Sequence, residues 1–164
     1  MTIQITTHGP GETRAAGRRL AAKLRAGDVL LLRGPLGAGK SEMTRGIAEG
    51  LGVTETVTSP SFTILNVYES GSVPLYHFDW YRLESEEELY ELGMDEYLGG
   101  DGIAAVEWPD QCPDVIPNDC LEAMLEPEGE DARRITLRPL GGFREPDMSW
   151  LAAEQQEEQG ETKA

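Results

Sequence analysis

At 164 residues the chain fits a single domain. Its formal net charge of −16, from 30 acidic and 14 basic residues, argues against unaided binding of DNA or RNA, which needs a basic footprint. The two cysteines, Cys112 and Cys120, lack CxxC or CxH spacing, which argues against zinc and suits a reducing compartment. No apolar stretch approaches the roughly 20 residues of a membrane span, and the opening MTIQITTHGPGET lacks the parts of a secretory signal. The expectation is a cytoplasmic protein with no membrane and no DNA partner.

TIQITT alternates and predicts a short strand. GPGETRAAGRRLAAKLRAGD follows as a helix, with Ala15, Leu20 and Leu24 compatible with one face and Gly27 as the stop. DVLLLRG is the continuous apolar run of a strand covered on both faces. After Gly34, Gly37 and Gly39, KSEMTRGIAEGLG restarts a helix, with Met43, Ile47 and Leu51 spaced by four and Gly50 and Gly52 at its close. Two alternating segments flanking ESGSVP predict an antiparallel hairpin about Gly71. In its second strand His77, Asp79 and Tyr81 share one face, and Tyr76, Phe78 and Trp80 share the other. The alternation predicts a less buried strand than GIAAVEW, the all-apolar run that ends in Glu107. Between them ESEEELYELGMDEYL reads as an acidic helix with Leu89 and Leu92 as its sparse apolar contacts. A proline-rich connector, PDQCPDVIPND, leads to a second hairpin turned at EPEGED, and the polar residues 145–164 read as a tail, partly helical or disordered.

Three crowded glycines ask for a reason, since each costs about 1 kcal/mol relative to alanine inside a regular element. Gly34-Pro-Leu-Gly-Ala-Gly39-Lys40-Ser41 satisfies G-x-x-x-x-G-K-[ST], with a strand before it and a helix after it. Such a loop turns successive backbone N–H groups inward as an anion nest, and the helix starting near Lys40 adds the positive end of its dipole. Gly37, Ala38, Gly39, Lys40, Ser41 and Glu42 are therefore the candidate residues for binding the phosphates of a nucleotide. Lys40 is aimed at the outer phosphates, and the Ser41 hydroxyl at Mg²⁺.

A magnesium-dependent phosphate site also needs a carboxylate at the end of a neighbouring strand. Glu107 has the better pattern for the metal side. Asp79 is a second carboxylate, completing the magnesium shell or orienting water. Thr58, Ser59, Pro60, Ser61 and Phe62 form a candidate switch segment, because Pro60 holds Ser59 extended and three hydroxyls gather at a strand entrance. His77 reads as a structural hydrogen-bonder in preference to a proton relay. Lys40, Asp79 and Glu107 make up the candidate catalytic set. The fold class is α/β: one P-loop NTPase-like domain over residues 1–144, with a mixed, mainly parallel central sheet flanked by helices and extended by antiparallel hairpins.

LRGPLGAGKSEMTRG, VTSPSFTILNVY, HFDWYRL and VEWPD, in this order and spacing, resemble the bacterial TsaE (YjeE) family from about Thr13 to about Pro139. The resemblance implies an ATPase of the pathway that installs threonylcarbamoyladenosine next to the anticodon of ANN-decoding tRNAs. It implies ATP and Mg²⁺ as cofactors, TsaB and TsaD as protein partners, and contact with tRNA only through that complex. It assigns Lys40 to the phosphates, Ser41 and Glu107 to magnesium, and Asp79 to the acidic position of H-x-D. Thr13 matches a family position near the nucleotide base. The chain departs from the common GDLGAGKT in having Pro35 and Ser41, and from SPTF in having Ser61, without losing an oxygen the chemistry uses. Two alternatives stay open: a nucleotide-sensing adaptor that does not hydrolyse, and a small-molecule kinase on the same loop.

Overall fold

The computed structural model describes residues 2–144; the predicted tail, 145–164, lies outside the described residues. One seven-stranded sheet runs through the molecule in the order β1-β7-β6-β2-β5-β4-β3. Its strands are β1 (Ile3–Thr7), β2 (Val29–Arg33), β3 (Leu65–Tyr68), β4 (Leu75–Asp79), β5 (Ile103–Glu107), β6 (Cys120–Glu128) and β7 (Ala132–Leu140). The centre is parallel: β2 pairs with both β5 and β6, and β4 pairs with β5. Hairpins add β3 beside β4 and β7 beside β6, and β1 closes the far edge against β7, all antiparallel.

The apolar run of β2 lies in the middle because a parallel strand needs cover on both faces. Leu30 and Leu32 point into a core shared with helices α1 (Pro10–Ala21) and α2 (Lys40–Leu51), which bring Leu20, Met43 and Ile47. Val29 and Leu31 point to the opposite face, where Tyr76, Phe78 and Trp80 pack under Leu89 of the short helix α3 (Glu86–Glu91). α1 and α2 lie in backbone contact: a Cβ on Gly46 would collide with the Arg14 carbonyl, and one on Gly17 with the Met43 carbonyl. Only glycine fits where two helices approach this closely. Among the described residues, no helix is long and apolar enough to cross a membrane.

Several local expectations need correction. α1 ends at Ala21, well before Gly27; beyond it the chain makes single turns, and the Gly27 N–H bonds the Gly102 carbonyl at 2.8 Å instead of closing a helix. The acidic helix stops at Glu91, because Gly93 adopts a left-handed φ of 68°. Leu92, expected as a core contact, is consequently 57% exposed. β4 is buried at all five positions. Strands pair on both its edges and a core covers each face, so its polar alternation does not mark a solvent face.

Candidate functional site

The loop between β2 and α2 turns through Gly37 (φ 79°) and Gly39 (φ 104°), backbone that L side chains rarely adopt. Gly39 is also the residue from which α2 starts, so the helix's unpaired N–H groups open toward the loop. At the loop entrance, Gly34 passes so close to β6 that a Cβ would strike the Leu125 carbonyl. Ala38 is fully buried and its N–H bonds the Pro35 carbonyl at 3.2 Å, so its contribution is to hold the turn.

Facing the loop are the ends of β4 and β5. Asp79 and Glu107 are register partners, so the two carboxylates stand abreast on the face that carries α2. A groove of about 290 Å³ lies between, lined by Gly37, Gly39, Lys40, Ser41, Glu42, Ser59, Ser61, Asp79, Glu107 and Trp108, with exposed Leu36 at its rim. Thr13 lies in an adjoining cavity of about 150 Å³ that shares Gly37, Gly39 and Glu42 with the groove and adds Asp131 and Arg133. Its hydroxyl bonds Thr7 Oγ1 at 2.7 Å.

Lys40, Asp79, Glu107 and Glu42 are each held by a specific partner. Lys40 Nζ donates to the Gly34 carbonyl at 2.7 Å and sits 3.9 Å above the Trp108 ring. Trp108 itself is left-handed (φ 57°), which turns the chain sharply after Glu107 and lays the indole over the lysine; the Tyr81 ring packs tilted against it, with centroids 4.9 Å apart. Burial pulls the Lys40 ammonium below the ordinary lysine range, against the pull of Glu107 and Asp79. Asp79 Oδ1 accepts the Tyr81 N–H at 2.9 Å. Burial holds its carboxyl above the usual range, with Glu107 adding like-charge repulsion, while the Tyr81 bond opposes. Glu107 Oε2 meets His77 Nε2 at 2.8 Å. Burial opposes ionisation of Glu42, but Arg14 (2.7 Å) and Arg45 outweigh it and hold this carboxyl low.

The switch segment divides. Ser59 and Ser61 line the groove, their hydroxyls 2.7 Å apart, and Ser61 Oγ lies 3.5 Å from Asp79 Oδ2. Thr58 instead bonds through its backbone to Tyr68 and Asn66, Pro60 is buried, and Phe62 is 83% exposed beneath the Arg82 guanidinium. The segment is not a strand entrance: a turn closed by Ile64 N–H to the Pro60 carbonyl at 2.8 Å separates it from β3. Sequence reasoning missed Arg133, which donates to the Gly37 carbonyl at 3.2 Å from β7; nothing local marks it.

Among the described residues no group of three or more His, Cys, Asp or Glu could hold a metal by itself. A magnesium ion carried on phosphates needs less, a hydroxyl and one or two carboxylates. The donor set fits that demand: Ser41, Asp79 and Glu107 share the groove, and Asp79 is under-neutralised.

Comparison with known proteins places the chain among relatives of one description. Bacillus subtilis "tRNA threonylcarbamoyladenosine biosynthesis protein TsaE" is 46% identical over 139 residues, covering 85% of this chain and 87% of that protein. The Streptomyces coelicolor protein of the same description is 41% identical over 147 residues, covering 85% and 99%. The crystal structure of Bacillus subtilis YdiB superposes with a TM-score of 0.76 at 37% identity, covering 97% of each chain. The family model described as threonylcarbamoyl adenosine biosynthesis protein TsaE matches residues 7–135. The chain therefore belongs to the TsaE family, whose role lies in threonylcarbamoyladenosine biosynthesis on tRNA.

Proposed function

We propose that this chain is a magnesium-dependent ATPase that binds TsaB–TsaD and drives that complex through its turnovers by hydrolysing ATP. The observation that carries the reading is the opposition within one groove: backbone donors and a buried lysine on one wall, two buried carboxylates in register on the other. The loop amides and Lys40 take the phosphates, and Ser41 and Glu107 take Mg²⁺, which when bound neutralises charge on the phosphoryl oxygens. Asp79 suits the handling of water, because a carboxyl raised by burial is a better proton acceptor at Oδ2. The register leaves Glu107 as an equally near alternative for that task.

Charge at the leaving phosphate wants an arginine. Arg33 is paired with Glu122 and Asp110, Arg45 with Glu42, and Arg82 lies on the Phe62 ring. A residue supplied by the partner complex completes the site, so turnover by the isolated chain is low. The net charge of −16 favours docking to protein over tRNA, which is reached only through TsaB–TsaD. The test is ATP turnover by the full chain, alone and with TsaB–TsaD, with Lys40→Ala as control. Slow turnover that the complex accelerates is expected. A rate indifferent to the complex removes the partner from the reading, and no hydrolysis in either case leaves a nucleotide-sensing adaptor.

A further inference from the structure

His77 is left unused by that chemistry, yet it is 1% exposed and, among the described residues, its side chain makes a single polar contact. It sits opposite Ala105 on β4, two residues before Asp79, so its ring lies on the groove face behind both carboxylates. Glu107, one diagonal step away on β5, turns Oε2 back onto Nε2 at 2.8 Å. With Glu107 accepting through Oε2, the tautomer that makes this bond is the one with its hydrogen on Nε2. The other nitrogen, Nδ1, is buried with no partner among the described residues. A buried polar atom without a partner is costly, and an apolar side chain of similar size would avoid it. The histidine is explained by what Nε2 does for Glu107.

That contact also accounts for an absence. Lys40 lies in the same groove as Glu107 and Asp79, yet among the described residues it forms an ion pair with neither. Without its tether Glu107 is free to swing onto the ammonium and close the space between the walls. With it, one oxygen is fixed and the other, Oε1, is left to the groove.

We infer that His77 is a positioning residue that fixes Glu107 through Nε2–H···Oε2, holding Oε1 ready for the magnesium of the bound nucleotide and keeping Glu107 off Lys40. The inference rests on the functional reading above. Ligands held in this way owe about ten- to a hundredfold of their metal affinity to the group behind them.

The test uses the full chain with ATP and Mn²⁺ as the metal probe, reading metal affinity by water-proton relaxation enhancement. His77→Leu removes the donor at similar size. His77→Gln returns an amide N–H near the Nε2 position, whereas the shorter His77→Asn stops short of it. Metal affinity at least tenfold weaker in the leucine and asparagine variants, and largely recovered with glutamine, is the expected result. Should the leucine variant fail to fold, the asparagine and glutamine pair decides. Wild-type metal affinity in a folded leucine or asparagine variant overturns the inference, and so does glutamine no better than leucine. Failure of the wild type itself to hold Mn²⁺ with ATP removes the nucleotide reading, and the role of His77 with it.

Discussion

The two walls of the groove are built by opposite means. One is main chain: a loop bent through left-handed glycines, the start of α2, and a single ammonium. The other is side chain: two acids set abreast by the pairing of β4 with β5 and steadied from behind. The first wall is anchored to helices packed backbone to backbone, and the second to strands buried on both faces. The loop wall favours an anion, the strand wall a cation, and the two together suit a phosphate chain that arrives with its metal.

Substitutions that treat the walls separately sharpen this contrast. The largest expected effect is on the strand wall. Glu107→Gln lowers ATP turnover with TsaB–TsaD by about a hundredfold or more while leaving metal-free ATP affinity near wild type, as steady-state kinetics and binding in EDTA will show. Lys40→Ala does the reverse, weakening ATP on the order of a hundredfold with or without metal, because it removes the loop wall's cation.

Asp79→Asn yields a smaller and different signature. Burial raises this carboxyl above its ordinary 3.8, so between that value and the raised one the folded state binds more protons than the unfolded state. Stability from this group therefore falls as pH rises through the window and stays lower above it. In metal-free buffer the asparagine variant should melt a few degrees above wild type at neutral pH, with the gap closing below pH 3.8. It should also bind Mg²⁺ with ATP less well. The smallest effect is on the loop's outer tether. Arg133→Ala removes one hydrogen bond to the Gly37 carbonyl and should weaken ATP about threefold by calorimetry, without changing the melting temperature.

Legibility in the sequence follows the same division. The loop wall is local: VLLL, the glycines, Lys40 and Ser41 are contiguous, and each signals its own geometry. Glu107 is legible too, because IAAV declares a covered strand before it. Asp79 is legible as an acid but not as a buried one; a strand with His77 and Asp79 on one face looks half-solvated until Glu107 is seen to meet the histidine at Nε2. Arg133, far along the chain from Gly37, reaches the loop only through the order of β6 and β7 in the sheet, which no local pattern encodes. The early end of α3 at Gly93 and the turn from Pro60 to Ile64 are boundary effects, decided by single left-handed residues.

The proposed grip on a nucleoside triphosphate and its metal spans one groove, between an anion-seeking and a cation-seeking wall. Titration calorimetry of ATP into the full chain, with Mg²⁺ and again in EDTA, tests it most directly. Saturable binding of one ATP per chain, tighter with Mg²⁺ and weakened by Lys40→Ala, is the predicted result. No saturable heat under either condition, or binding that ignores both magnesium and the lysine, would contradict it.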